Sequence, residues 1–503
     1  MRRRTATACL ASTLFLAACG TTVPMTRSMT DGQMSSDSGS LGQSPAAAGA
    51  TGVGATGQGP VAGALGGTGA GSVAGGVNSQ GFGPQASGST AVAPGVTGRG
   101  VTPKTLTIGI AIATDTSAVG SSMGISGAGS VSEQDIWNAL VQDVNRNGGI
   151  LGRRLLLYTH AVNLASYVAN PSETYAQACS DFRDDHKVFA TLISIADPAL
   201  RDCFAAMGTP FIVYDGNVGS LMPASAYREH GGNYLYAPDA ITMERLAQLF
   251  VQSLVERKFM SPWDTTAGAP GGAPVKLGLI HADTPDQNSL YADYARELAK
   301  YGMHFADTVT YSGDVSTAMA ATQSAVLKFA SEGVTHVFGA SAFFLRDAES
   351  QHYRPRYAYL PALGAFGAQN SPAVQLHGAM TVGWAPAVDV NAAQDPGPTP
   401  GSKHCLTVLR AAGLTPSNGQ DRELMFAVCD AVYSLRAALT TGGSPTVAGL
   451  RRGYEALGTS FPTALAFAAR LGPGRHNGVD SVRDMAFDAT CSCLKYTSRT
   501  NRS

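Results

Sequence analysis

Charge is scarce in this 503-residue chain: Lys, Arg, Asp and Glu together make up 14%, against about 25% in ordinary soluble proteins. Basic and acidic residues nearly balance, 35 to 36, for a formal net charge of −1. The clustered basic excess that a nucleic-acid footprint requires is therefore missing. After the first 20 residues no run of 18 consecutive apolar residues occurs, and a membrane-spanning helix needs about 20. Signatures of chemistry are equally thin: there is no His-Glu-x-x-His, no Walker A loop and no paired-carboxylate pattern. A zinc site would want two close Cys pairs or a Cys/His cluster. Only Cys491 and Cys493 lie close, and the ten His are scattered. No metal and no cofactor are expected.

What the chain has in excess is glycine, 59 residues, and the excess is local. Residues 39–100 hold 20 of them in 62 positions, with Arg99 the only charge and Phe82 the only aromatic. Such a segment cannot bury enough apolar surface to offset the entropy of ordering it, so it reads as a disordered linker. Ahead of it, Met1-Arg2-Arg3-Arg4 is a positive n-region and Ala6–Ala18 an apolar h-region, the pattern of an export signal. The run Leu16-Ala17-Ala18-Cys19-Gly20 resembles the lipobox of bacterial lipoproteins, in which the Cys is lipidated and becomes the new N-terminus. Two acyl chains on Cys19 would suffice for stable anchoring. Loss of residues 1–18 with their three arginines leaves a formal net charge of about −4 on the mature chain.

An exported chain is disulfide-permissive. Six cysteines remain after Cys9 and Cys19 are set aside: Cys179, Cys203, Cys405, Cys429, Cys491 and Cys493. Fifteen connectivities are possible. The equal separation of 24 and the apolar runs between them favour Cys179–Cys203 and Cys405–Cys429. Cys491 and Cys493 either close on each other or stay reduced.

From Val101 onward strands and helices alternate. Leu106–Ala113 is a short β-branched apolar run that reads as a buried strand. A Gly/Ser-rich loop, 116–130, follows; then Ser132-x-x-Asp135 caps a helix carrying Ile136, Leu140 and Val144, stopped at Asn147-Gly148-Gly149. Strands are predicted at 155–159, 188–195 and 210–214, with helices at 173–184 and 198–207 between them. The pattern restarts with a helix at 240–257, strands at 275–281, 304–311, 335–340 and 378–384, and helices at 290–301, 319–332 and 422–440. The insert 262–274 reads as a surface loop, 395–401 as a Pro-rich stretch, and 464–470 and 484–496 as strand-like. The fold class is α/β, two doubly wound lobes behind the linker.

Asp143–Leu157 (DVNRNGGILGRRLLL) resembles the first-helix signature of type I solute-binding proteins of the branched-chain amino-acid group, where a helix ends in Asn-x-x-Gly-Gly-Ile-x-Gly and runs into the second strand. Tyr234–Leu249 is similar to the interlobe crossover of that family, Val275–Ala282 and Val334–Ala340 to two strands of its second lobe, and Phe426–Ala438 to its late helix. The resemblance spans about 390 residues and places Cys179–Cys203 where some members have a lobe-one disulfide. It implies two α/β lobes joined by three crossovers: residues 1–18 a signal peptide, 19–100 an anchored linker, 101–236 lobe one with 385–458 returning to it, and 237–384 lobe two with 459–503 returning to it. It further implies a monomeric receptor that closes on an amino acid or other small polar solute and delivers it to an ABC permease. The alternatives are a ligand sensor or envelope interaction protein without transport and, more remotely, a hydrolase.

In open α/β sheets ligands sit beyond the carboxyl ends of the strands. The candidate cleft residues are Ser126, Ser194, Ile195, Ala196, Tyr214 and Asp215 on lobe one and Asp283, Asn288, Ser341 and Phe366 on lobe two. Relatives hold a ligand carboxylate with paired small hydroxyls after the third strand; here one hydroxyl, Ser194, is followed by Asp197. The acid that relatives place after the strand ending at Gly339-Ala340-Ser341 is missing, which weighs against an amino-acid ligand. Asp215 reads equally as a turn cap, Ser341 as a helix N-cap, Tyr291 as a packed helix residue, and Phe343-Phe344 as core. Gly120-x-Ser122-x-Gly124 matches the nucleophile-elbow pattern but sits inside a long loop rather than on a strand-to-helix turn, so no enzyme activity is expected.

Overall fold

The computed structural model describes residues 96–114, 129–194, 197–214, 221–312, 315–361 and 364–503. The signal segment, Cys19, most of the Gly-rich stretch and the Gly-x-Ser-x-Gly loop lie outside them. The described chain begins inside the segment read as linker. Arg99 donates to the Phe182 carbonyl (2.8 Å), the Arg183 carbonyl (2.7 Å) and Thr209 Oγ1 (3.1 Å). Residues 96–100 of the segment read as linker are thus among the described residues, and one guanidinium there satisfies two carbonyls of the turn at Asp181–Asp185.

Two sheets organise the chain. The first contains β1 (Thr105–Thr114), β2 (Arg154–Asn163), β3 (Ala190–Ile193), β4 (Phe211–Val213) and β5 (Leu235–Tyr236), in the order β2-β1-β3-β4-β5 and parallel throughout. Along β1, Leu106, Ile108 and Ile110 are fully buried beneath helix α1 (Glu133–Arg146), which contributes Ile136, Trp137 and Leu140. Gly109 turns to the other face, where a Cβ would stand 2.6 Å from the Phe182 ring. That face is covered by α2 (Leu164–Ala169), α3 (Pro171–Ser180), which runs on into a π-turn at Asp181–Asp185, and α4 (Pro198–Ala206). A parallel strand buried on both sides is apolar without alternation, as β1 is.

The turn from α1 into β2 shows why its sequence is glycine-rich. Ser132 Oγ accepts from the Asp135 amide at the N-terminus. At the other end Asn145 clips helix to strand, accepting from the Leu155 amide (2.7 Å) and donating to the Leu155 carbonyl (2.9 Å). Gly149 has φ +71°, and a Cβ there would lie 2.0 Å from the Arg153 carbonyl oxygen, so only glycine fits.

The second sheet follows α5 (Met243–Glu256). A small hairpin, β6 (Trp263–Asp264) and β7 (Ala269–Pro270), precedes it. The insert read as a surface loop is corrected here: Trp263 is buried and donates Nε1 to the Arg354 carbonyl at 2.9 Å. The sheet comprises β8 (Leu277–Ala282), β9 (Phe305–Tyr311), β10 (His336–Phe338), β11 (Arg356–Ala358) and β12 (Met380–Gly383), all parallel, extended by the antiparallel β13 (Arg483–Asp488) and β14 (Cys493–Tyr496). Its helices are α6 (Pro285–Ala299), α7 (Val315–Ser331), α8 (Ala342–Ser350) and α9 (Gly364–Gln369). After a single turn, α10 (Pro386–Asp389), the chain returns to the first sheet with α11 (Pro400–Ala411), α12 (Gly419–Gly442) and α13 (Val447–Leu457). Helix α12 is long and apolar because it is a core helix, mostly buried.

The chain passes between the sheets three times, and the three passages bond to one another. Ala237 N donates to the His476 carbonyl and Gly478 N to the Ala237 carbonyl, both at 2.9 Å; Phe467 N donates to the Trp384 carbonyl at 3.0 Å. Trp384 Nε1 reaches the Asp239 carbonyl at 3.1 Å. The strand expected at 464–470 is not formed. Its amides instead turn to buried Asp430 of α12, which accepts from Ala464 N (2.6 Å) and Leu465 N (2.9 Å). Cys179–Cys203 joins α3 to α4, Cys405–Cys429 joins α11 to α12, and Cys491–Cys493 closes on itself between β13 and β14.

Candidate functional site

Because the strands of the first sheet are all parallel, their carboxyl ends gather on one edge, and Glu133 stands at that edge as the first residue of α1. An acid in the first turn suits the helix dipole, but this one is buried, 4% exposed. Its Oε1 accepts from Tyr214 Oη at 2.8 Å, just past β4, and from Trp137 Nε1 at 3.3 Å, one turn along the helix. The Trp137 and Tyr214 rings meet edge to face, centroids 5.4 Å apart. No hydrogen bond reaches Oε2 among the described residues. Burial pushes the carboxyl up to about 7, and the bonds from Tyr214 and Trp137 only partly oppose it.

Glu133 lines a pocket at the carboxyl ends of β1, β2 and β3. The walls are Ala111, Ala113, Val162, Ala178, Ile193 and Leu200, with Thr174, Ser194 and the pair Tyr167 and Tyr175 as the other polar members. The two tyrosine hydroxyls are 2.8 Å apart. The enclosed part is about 30 Å³, room for roughly two water molecules, and it opens outward. Asp197 stands beside it as the N-cap of α4, accepting from Ala199 N at 2.8 Å, with its carboxyl raised by burial. Among the described residues, no Lys, Arg or His lines this pocket.

Of the residues singled out from sequence, Ser126, Ile195, Ala196 and Asp215 lie outside the described residues. Ser194 lines the pocket, and Tyr214 is fully buried, its hydroxyl donating to Glu133. On the second sheet, Asp283 and Asn288 are exposed and bonded to each other (2.7 Å). Ser341 is the N-cap of α8, accepting from Phe344 N at 3.4 Å, and Phe366 is buried in α9. Phe343, Phe344 and Tyr291 are all buried, as the packing reading of each had it. Sequence reasoning missed Glu133, Tyr167 and Tyr175. An acid at a helix start is too common to stand out; the one available signal was Trp137 four residues on, placing an indole N–H on the same face.

Facing helices of the two sheets touch at one charged contact. Arg201 of α4 reaches Asp286, in the first turn of α6, at 3.4 Å and Glu229 at 3.3 Å. Nearby Asp202, Glu229 and His230 form an exposed group with ligand atoms within 4.8 Å of one another, but His230 already pairs with Asp202 at 2.9 Å. A second cavity, about 340 Å³, lies beside the passages between the sheets, against Pro386, Ala387, Phe426 and Leu465. Its one cation, Arg422, is neutralised by Asp395 at 2.7 Å.

No protein-family model and no curated protein matches the chain. Solved structures do. A periplasmic binding protein type 1 from Bordetella pertussis Tohama I aligns over 79% of this chain and 99% of its own, with TM-score 0.53 and 15% identity. A fatty acid ABC transporter substrate-binding protein from Thermomonospora curvata aligns over 80% and 94%, with TM-score 0.56 and 14% identity. A branched-chain amino acid ABC transporter protein from Thermus thermophilus, solved with bound valine, aligns over 80% and 96%, with TM-score 0.55 and 14% identity. These neighbours share a fold with the chain and little sequence: two α/β lobes joined by three crossovers, the architecture of the type 1 periplasmic binding proteins, are what this sequence builds.

Proposed function

We propose that the protein is an extracytoplasmic solute-binding receptor that closes its lobes on a small molecule and delivers it to an ABC importer. The carrying observation is the meeting of a parallel and a mostly parallel sheet, joined by three mutually bonded passages, with a buried carboxyl that has no cationic partner among the described residues in a pocket at the strand ends. Ligands of open α/β sheets bind at that place, and the structural neighbours are transporter substrate-binding proteins. Lobe one is taken as 101–236 with 385–458, and lobe two as 237–384 with 459–503. Lipid on Cys19 anchors the receptor, and the Gly-rich stretch tethers it; a flexible coil of about 80 residues has an end-to-end distance of about 50 Å.

A thermal-shift screen of amino acids, amines, sugars, nucleosides and small organic acids tests the receptor reading, since a ligand that binds the native state raises apparent stability. At least one compound should raise the transition and compact the protein in solution scattering. If none does either, the receptor reading falls. Replacing Cys19 by Ala should release the protein from the membrane fraction, and retention there would overturn the lipid anchor.

A further inference from the structure

We propose that the lobe-one pocket takes a primary ammonium group carried on an apolar body, in other words a monoamine rather than an amino acid. This rests on the receptor reading and names its substrate class.

The argument is one of charge balance. A buried carboxyl ordinarily has a cationic partner or several donors, because an uncompensated buried charge is costly. Glu133 has two donors, and both fall on Oε1. The residue lines a pocket to which, among the described residues, no Lys, Arg or His contributes, and no cation figures among the causes that set its protonation. The second carboxyl at the rim, Asp197, is occupied in capping α4. The neighbouring Tyr175 hydroxyl is raised chiefly by burial, then by Tyr167, and then by the charge of Asp197. Among the described residues Glu133 thus has no cationic partner, whereas the charge of Asp197 is met by Arg201; the cation missing at this pocket is the one for Glu133.

The remaining walls set the rest of the ligand. The enclosed space of about 30 Å³ accepts an ammonium head and little more. Tyr167, Tyr175 and Ser194 add hydroxyl acceptors for its other N–H bonds. The other walls of the same pocket, which opens outward, are Ala, Val, Ile and Leu, suited to an apolar body rather than to a second charged group. A ligand carboxylate would find no cation there and would face Glu133 and Asp197. The larger hinge-side cavity does not make the same demand, because Arg422 and Asp395 already neutralise each other.

The test is calorimetric titration of the mature protein with isobutylamine and phenethylamine, compared with leucine, phenylalanine and isovalerate. The amines should bind, the amino acids and the acid at least tenfold more weakly or not at all. Glu133→Gln should weaken amine binding by about 30-fold or more, the scale of losing one partner of a buried charge pair. Tighter binding of leucine, phenylalanine or isovalerate than of the amines overturns the monoamine assignment while leaving the receptor reading in place. So does amine binding unchanged in a folded Glu133→Gln variant. Failure of all these compounds to bind overturns the monoamine assignment. Whether the receptor reading survives is then decided by the broader screen. The comparison within the wild-type protein does not depend on how well the variant folds.

Discussion

Arg201 on α4 and Asp286 on α6 hold the two lobes together across the cleft, Nη1 to Oδ2 at 3.4 Å. The guanidinium is 6% exposed and keeps a second partner in Glu229. Burial raises the Asp286 carboxyl while Arg201 opposes the rise, so the ion pair offsets part of the desolvation cost of that carboxyl. Replacing Asp286 by Asn removes the attraction but leaves Arg201 paired, and should shift the population toward an open form by about 1 kcal/mol or less. Solution scattering should give a larger radius of gyration without ligand, and ligand affinity should fall up to about fivefold with little change in melting temperature. Unchanged radius and affinity would show that the contact does not bias closure.

Glu133 also predicts a pH signature of stability. Its carboxyl ordinarily titrates near 4.5 and is pushed up to about 7 in the folded chain, first by burial. Between those values the native state holds a proton that the unfolded chain has lost, so this group lowers stability as pH rises through that range. His336, held down to about 4 chiefly by burial, acts oppositely: the unfolded chain takes up its proton as pH falls below about 6.5. Burial also raises Asp389 and Asp430 to about 7, in the same sense as Glu133, so the absolute profile mixes these groups and a difference between variants isolates one. Glu133→Gln should match the wild type near pH 4.5 and exceed it at pH 8 by up to about 3 kcal/mol. Denaturant melts across that range measure it, and a difference independent of pH would mean that Glu133 is ionised in the native state.

The fold was legible because its strands are apolar runs bounded by turn residues, and because Asn145, Gly149 and Gly152 leave a spaced pattern whose geometry admits few substitutes. Some elements were missed: β11 is only three residues long, and α11 and α13 were passed over although Leu450, Tyr454 and Leu457 fall at helical spacing behind the Thr446 cap. The site was legible only as a location. Strand polarity puts it at the carboxyl ends, which is how Ser194 was found. That Tyr214 turns to Glu133 depends on two elements about 80 residues apart in sequence meeting at one atom, and no local pattern encodes that. The same holds for 464–470, whose apolar run looks like a strand but whose first two amides are taken by Asp430.

The disulfides should differ in weight according to the chain they close. Cys405 and Cys429 are fully buried and 24 residues apart; Cys491 and Cys493 are separated by two. Loop-closure entropy gives about 3 kcal/mol for the first and about 1.5 kcal/mol for the second. Paired Cys→Ser variants compared by denaturant melts should fall in that order, with the first lowered further by two hydroxyls in an apolar core. Equal losses would mean that the hairpin between β13 and β14 depends on its bridge for more than loop entropy.

Gly148 and Gly149 separate two reasons for the same residue type. Both have positive φ, +87° and +71°, but a Cβ at Gly148 meets nothing within 4 Å, whereas at Gly149 it would stand 2.0 Å from the Arg153 carbonyl oxygen. Gly148→Ala therefore adds only the left-handed backbone cost, about 1 kcal/mol. Gly149→Ala adds a steric conflict with backbone that also carries the Ile150 to Arg153 hydrogen bonds, and should cost about 3 kcal/mol or more, since backbone cannot move aside as a side chain does. The turn feeds β2, which pairs with β1 along its whole length, so the loss should appear as global destabilisation in chemical unfolding rather than as local fraying in hydrogen exchange. Similar costs for the two variants would mean that the turn relaxes around a methyl group and that the Gly-Gly pair is required for its dihedral angles alone.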